Sequence, residues 1–145
     1  MNFKGRVACE ISAADELVLT EMMFGGVFTE LDASQMAALL SCFVFEEKAS
    51  ATNLGDELGG CLRAMQGYAR HIAVLSKESK LEIDEDQYVE SFKPHLMDVI
   101  HTWCCGSSFA EILQKTDVFE GRISVTDCSF MLVIGCGLSI TYKTI

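Results

Sequence analysis

Leu54, Leu58, Leu62, Met65, Ala69, Ile72 and Leu75 recur at intervals of three and four residues, and this run constrains the fold more than any other feature. The spacing puts all seven on one stripe of a helix about six turns long, whereas a strand would send alternate members to opposite faces. Gly59, Gly60 and Gly67 lie inside the same run. Each costs about 1 kcal/mol relative to alanine, so packing against neighbours has to hold this helix together. The stripe is therefore read as core rather than as a face for a partner.

Its neighbours carry the same signature. In "DASQMAALLSCFVFEE", Asp32 and Gln35 form a capping-box pattern, and Met36, Leu39, Leu40 and Phe43 recur at i, i+3, i+4 and i+7. Ala37, Ala38 and Ser41 are small enough to let another helix approach closely. "SAADELVLTEMMF" predicts a helix capped by Ser12, with Asp15 and Glu16 in its first turn, a buried stripe of Leu17, Val18, Met22 and Phe24, and an end at Gly25-Gly26. Before it, Val7, Cys9 and Ile11 alternate, which predicts a short extended segment. "EKASATN" and "SKESKLEID" read as polar connections. Asp84 or Asp86 can cap a short helix through Tyr88, Val89 and Phe92. Pro94 suits the first position of a further helix with a face of Leu96, Val99, Ile100 and Trp103, stopped by Gly106. Ser108 and Glu111 form another capping box, with a turn at Thr116-Asp117. The expected fold is all-α, an incomplete antiparallel helical bundle with a short extended N-terminal segment.

Composition narrows the function classes. The chain has 145 residues with 11 basic against 21 acidic side chains, a balance of −10. Such a surface repels phosphate and anionic lipid, because affinity for both comes from Lys and Arg. The 7 cysteines include no CxxC pair, which suits a reducing compartment. No apolar run reaches the roughly 18 residues needed to span a bilayer, and no membrane partner is expected.

Catalytic motifs fail on context. "DEDQ", Asp84 to Gln87, looks like a helicase acidic motif, but the preceding "SKLEI" is no buried strand, so a helix cap is the better account. There is no phosphate-cradling G-x-x-x-x-G-K-[ST]. His101 with Cys104 or Cys105 could supply two metal ligands on one helix face, whereas structural zinc wants four; Cys104 and Cys105 are read as buried thiols beside Trp103. His71 and His95 read as helix-surface residues, and Phe43, Phe45, Tyr88, Phe92 and Trp103 as core rather than base-stacking platforms. No residue is assigned a catalytic, cofactor-binding, nucleic-acid-binding or metal role.

Four strings are more specific: "KGRVACEISAADELVLTEMMF", "ALLSCFVFEEK", "KLEIDEDQYVESFKPHLMDVIHTW" and "SFAEILQKTDVFEG". Together, over about residues 4 to 121, the chain resembles the C-terminal helical domain, DSHCT, of the superkiller-type DExH-box RNA helicases, within them the nuclear helicases that feed RNA to the exosome. The resemblance implies a nuclear module without ATPase motifs. In that family two RecA-like domains hold ATP and magnesium, and this domain packs across them to complete an RNA channel. The implied partners are those RecA-like domains and exosome-adaptor proteins, with RNA bound only in the complete parent. Gly25-Gly26 falls where the family usually has asparagine and a following residue.

After the family-like Thr116, Asp117, Val118, Phe119, Glu120 and Gly121, the resemblance stops. The family continues into a basic RNA-facing helix, whereas Arg122 and Ile123 lead into "SVTDCSFMLVIGCGLSITYKTI", apolar and rich in β-branched residues. The expected division is a partial helical domain over 1–121 and a divergent tail over 122–145. The abrupt start and the tail are expected to reflect a partial gene model or an intron-reading isoform. Two alternatives remain: a short regulatory isoform that competes for helicase partners, and a thiol or metal enzyme built on Cys104 and Cys105.

Overall fold

The computed structural model describes residues 2–11, 14–44 and 54–115. Among them there are helices and no strand. Helix α1 is Phe3–Ala8, α2 is Glu16–Phe24, α3 is Ala33–Ser41, α4 is Asp56–Glu78, α5 is Glu85–Glu90, α6 is Met97–Cys104 and α7 is Phe109–Lys115. Short 3-10 turns, Val27–Thr29 and Pro94–Leu96, lead into α3 and α6. The all-α expectation is met. Ser12, Phe45, "EKASATN", Thr116-Asp117 and the tail 122–145 lie outside the described residues.

The N-terminal segment is not extended. Asn2 caps α1, its side chain accepting from the Gly5 N–H at 2.9 Å, and this cap turns the chain into a helix. Val7 in α1 and Ile11 just past its end are buried, while Cys9, the C-cap between them, is exposed, so the three do not alternate along a strand. The cap of α2 is Asp15 and not Ser12: its Oδ1 accepts from Leu17 N at 3.1 Å and Val18 N at 2.9 Å. Gly25 and Gly26 end α2 as expected, Gly26 at φ +77°. A side chain at Gly25 would run into the Tyr68 hydroxyl of α4, so this turn also sets how closely α2 approaches α4.

The other caps follow the sequence. Asp32 and Gln35 form the reciprocal capping box of α3. Hydrogen bonds from the Ser34 hydroxyl and from the backbone N–H of Gln35 and Ser34 hold the Asp32 carboxyl below its usual pKa. Asp84, rather than Asp86, caps α5, and Ser108 with Glu111 caps α7. Pro94 takes the first position of a 3-10 turn that runs into α6. Gly106, at φ +90°, closes α6 in a Schellman arrangement, with Gly106 N bonded to Trp103 O and Ser107 N to Thr102 O.

Two apolar clusters share α2, α3 and α6 as a common wall. One gathers Ile11, Leu19, Ala37, Leu40, Leu96, Val99, Ile100 and Ile112. The other joins Val18, Met22, Ala38, Leu39, Cys42 and Met97 to the α4 stripe of Leu58, Cys61, Met65, Ala69 and Ile72 and to Val89 and Phe92 of the α5 region. The α4 stripe is thus core. Leu54 stands before the helix and Leu75 is exposed, so the buried run is shorter than the spacing predicted. Ala37, Ala38 and Ser41 are buried where α3 packs on α6, the close approach that small side chains permit. Phe92 packs edge-on against Phe43, centroids 5.2 Å apart, and Tyr88, 5.5 Å.

Candidate interaction surface

Helix α2 is apolar on too many sides for one core. Val18 and Met22 face the second cluster and Leu19 the first, yet Leu17 is 49% exposed and Phe24 43%. Leu17, Glu21 and Phe24 are spaced i, i+4 and i+7, so they share the outward stripe. Helix α1 lies along this edge. Phe3, 54% exposed, meets Phe24 edge-on at 5.9 Å, and Lys4 Nζ stands 5.3 Å from the centroid of the Phe24 ring. Lys4 also donates to both oxygens of Glu21, at 3.0 and 3.1 Å. An exposed ion pair of this kind adds little stability by itself. It does join α1 to α2 next to the Phe3–Phe24 contact, on the side of α2 that carries Leu17. Phe3, Leu17 and Phe24 thus leave three large apolar side chains exposed along α1 and α2, flanked by Lys4 and Glu21.

The sequence placed Leu17 and Phe24 in the core, and the structure overturns that. The correction has a physical source: Leu17, Val18, Leu19, Met22, Met23 and Phe24 are too many apolar residues for one stripe, and adjacent positions on a helix point about 100° apart. That excess was the signal for an uncovered face. Trp103 is corrected likewise, being 45% exposed at the end of α6.

Cys104 and Cys105, expected to be buried beside Trp103, are exposed, because the Gly106 turn ends α6 at the surface. His101, one turn back, is half-buried. Among the described residues no group of three or more His, Cys, Asp or Glu side chains is arranged to hold a metal ion. The buried thiols are of the unreactive kind: burial pushes Cys42 up to about 12 and raises Cys61 as well. His71 is on the helix surface as expected, whereas His95 is half-buried in the turn before α6. Asp84 spends its carboxylate on the backbone N–H groups of Asp86 and Gln87, so "DEDQ" is a helix cap. No helix among the described residues is long and apolar enough to cross a membrane.

A family model, the DSHCT (NUC185) domain, matches residues 1–125. The chain belongs to the DSHCT family. Its relatives are RNA helicases. The exosome RNA helicase MTR4 of Homo sapiens is 60% identical over 124 residues, which take in 85% of this chain and 12% of that helicase. The ATP-dependent RNA helicase mtr4 of Schizosaccharomyces pombe is 54% identical over 122 residues, 83% of this chain and 11% of the relative. The DExH-box ATP-dependent RNA helicase DExH10 of Arabidopsis thaliana is 53% identical over 122 residues, 83% of this chain and 12% of the relative. The DSHCT chain thus spans about an eighth of the length of the curated relatives it matches, and the α1–α2 surface sits inside the matched part.

Proposed function

We propose that this DSHCT chain is a non-catalytic scaffold module of an exosome-linked RNA helicase, working in nuclear RNA processing and decay. Residues 1–121 form the scaffold, and 122–145 stand apart from it. The observation that carries the reading is the 60% identity to the exosome RNA helicase MTR4 across residues that fold into helices with no nucleotide-cradling loop in their sequence. ATP and magnesium belong to the RecA-like domains of a complete helicase. Phosphoryl transfer needs groups that hold Mg²⁺ and the γ-phosphate, and residues 1–121 contain no motif that would supply them.

The module packs on those RecA-like domains through the face of Phe3, Leu17 and Phe24. RNA is engaged only when the whole helicase completes the channel, since the acidic balance of −10 opposes binding to phosphate. Grafting residues 1–121 into the human helicase in place of its matching segment tests the reading. RNA-stimulated ATPase activity within about threefold of the parent is the expected result. A hybrid that is soluble and folded but no longer couples ATP hydrolysis to RNA would overturn it.

A further inference from the structure

Helix α4 has a second seam, opposite its buried one. Arg63, Gly67, Arg70, Val74 and Lys77 follow one another at intervals of four, three, four and three, the spacing by which one helix presents a face to another. All five are exposed, Val74 at 38%. Lys77 is held by Glu85 at 3.2 Å, but Arg63 and Arg70 have no acidic partner among the described residues. Two guanidiniums on one row with no acidic partner among the described residues are unexpected in a chain where acids outnumber bases 21 to 11. The surface between them is low: a Cβ at Gly67 would meet nothing within 4 Å, and Arg63 folds back over Gly59, its Nη1 3.6 Å from where a Cβ would stand.

We infer that this face docks an acidic amphipathic helix of a partner protein. Such a helix would bring carboxylates about 10.5 Å apart, seven residues along its axis, to Arg63 and Arg70, and an apolar side chain to Val74. The charge of the row selects the acids, and the planar guanidinium fork suits a carboxylate. Single-stranded RNA fits less well: the row offers no exposed aromatic ring for a base to stack on, and Val74 would gain nothing from a phosphate chain.

The test uses the full chain and three labelled probes followed by fluorescence anisotropy. One is a synthetic helical peptide of about three heptads with glutamates seven apart and leucines along the same face; the second has the same composition in shuffled order; the third is a single-stranded RNA. The patterned peptide should bind about tenfold tighter than the shuffled one, and R63E/R70E should remove that advantage without moving the unfolding midpoint. V74S should weaken it as well. Equal binding of the two peptides, indifference to R63E/R70E, or an arginine-dependent preference for the RNA would each overturn the inference.

Discussion

Tyr88 Oη donates a 2.6 Å hydrogen bond to Asp15 Oδ2, joining residues 73 positions apart. The other carboxylate oxygen of Asp15 caps α2, so one side chain both starts that helix and ties it to α5. Burial, with the Asp15 hydrogen bond and charge behind it, pushes the Tyr88 phenol well above its ordinary range. A raised pKa favours the protonated form in the folded chain, so the stabilisation is fully present below about pH 10 and is lost as pH rises beyond it.

Tyr88→Phe should therefore cost about 1.5 to 3 kcal/mol at neutral pH, the range for a hydrogen bond to a charged group. Asp15→Ala should cost about as much again through the lost cap. In the double variant the two losses should fall short of their sum, because both remove the same bond. Denaturant unfolding of the four proteins measures this, and strict additivity would mean that the bond does not couple α2 to α5.

Cys42 offers a second pH dependence. Its thiol stays protonated up to about 12, whereas in the unfolded chain it ionises near 9.0. Stability is then complete below pH 9 and declines between pH 9 and 12, by roughly 4 kcal/mol at most. Cys42→Ala should flatten that part of the pH profile while lowering stability at pH 7 through the cavity it leaves. In the native protein a thiol reagent should modify Cys9, Cys104 and Cys105 in seconds and leave Cys42 and Cys61 untouched until denaturant is added. Rapid labelling of Cys42 would contradict its burial.

Lys80 ends α4 at φ +65°, in the left-handed region where a side chain is disfavoured. Lys80 N bonds to Lys77 O and Leu81 N to Ser76 O, the bonds of a Schellman closure that usually employs glycine. Lys80→Gly should raise stability by about 1 kcal/mol, read as a higher denaturant midpoint with unchanged slope. A lower midpoint would show that the lysine side chain contributes something its exposed position does not reveal.

The helices were legible in the sequence because their signals are local. Asp32 with Gln35 and Ser108 with Glu111 announced their capping boxes, and Met65, Ala69 and Ile72 announced a buried stripe, each from residues within a turn or two. What escaped was set by neighbours far along the chain. Leu17 and Phe24 are as apolar as Val18 and Met22 by any sequence pattern, and the positions of α3 and α4 decide which pair is covered. The cap at Asn2 is hard to see in the sequence because Val7, Cys9 and Ile11 mimic strand alternation, and the exposure of Cys9 depends on where α1 lies against α2. The Phe3, Lys4, Glu21 and Phe24 cluster combines two helices, and no single stretch of sequence shows it.

The central claim is that the α1–α2 face is where this module joins a helicase. Calorimetric titration of the chain into a relative's helicase core lacking its own DSHCT segment tests it most directly, with L17D and F24D as variants. Saturable binding to the core, weakened about tenfold or more by each variant while its thermal transition stays in place, is the predicted result. Binding unchanged by L17D and F24D, or no binding by a chain shown to be folded, would contradict it.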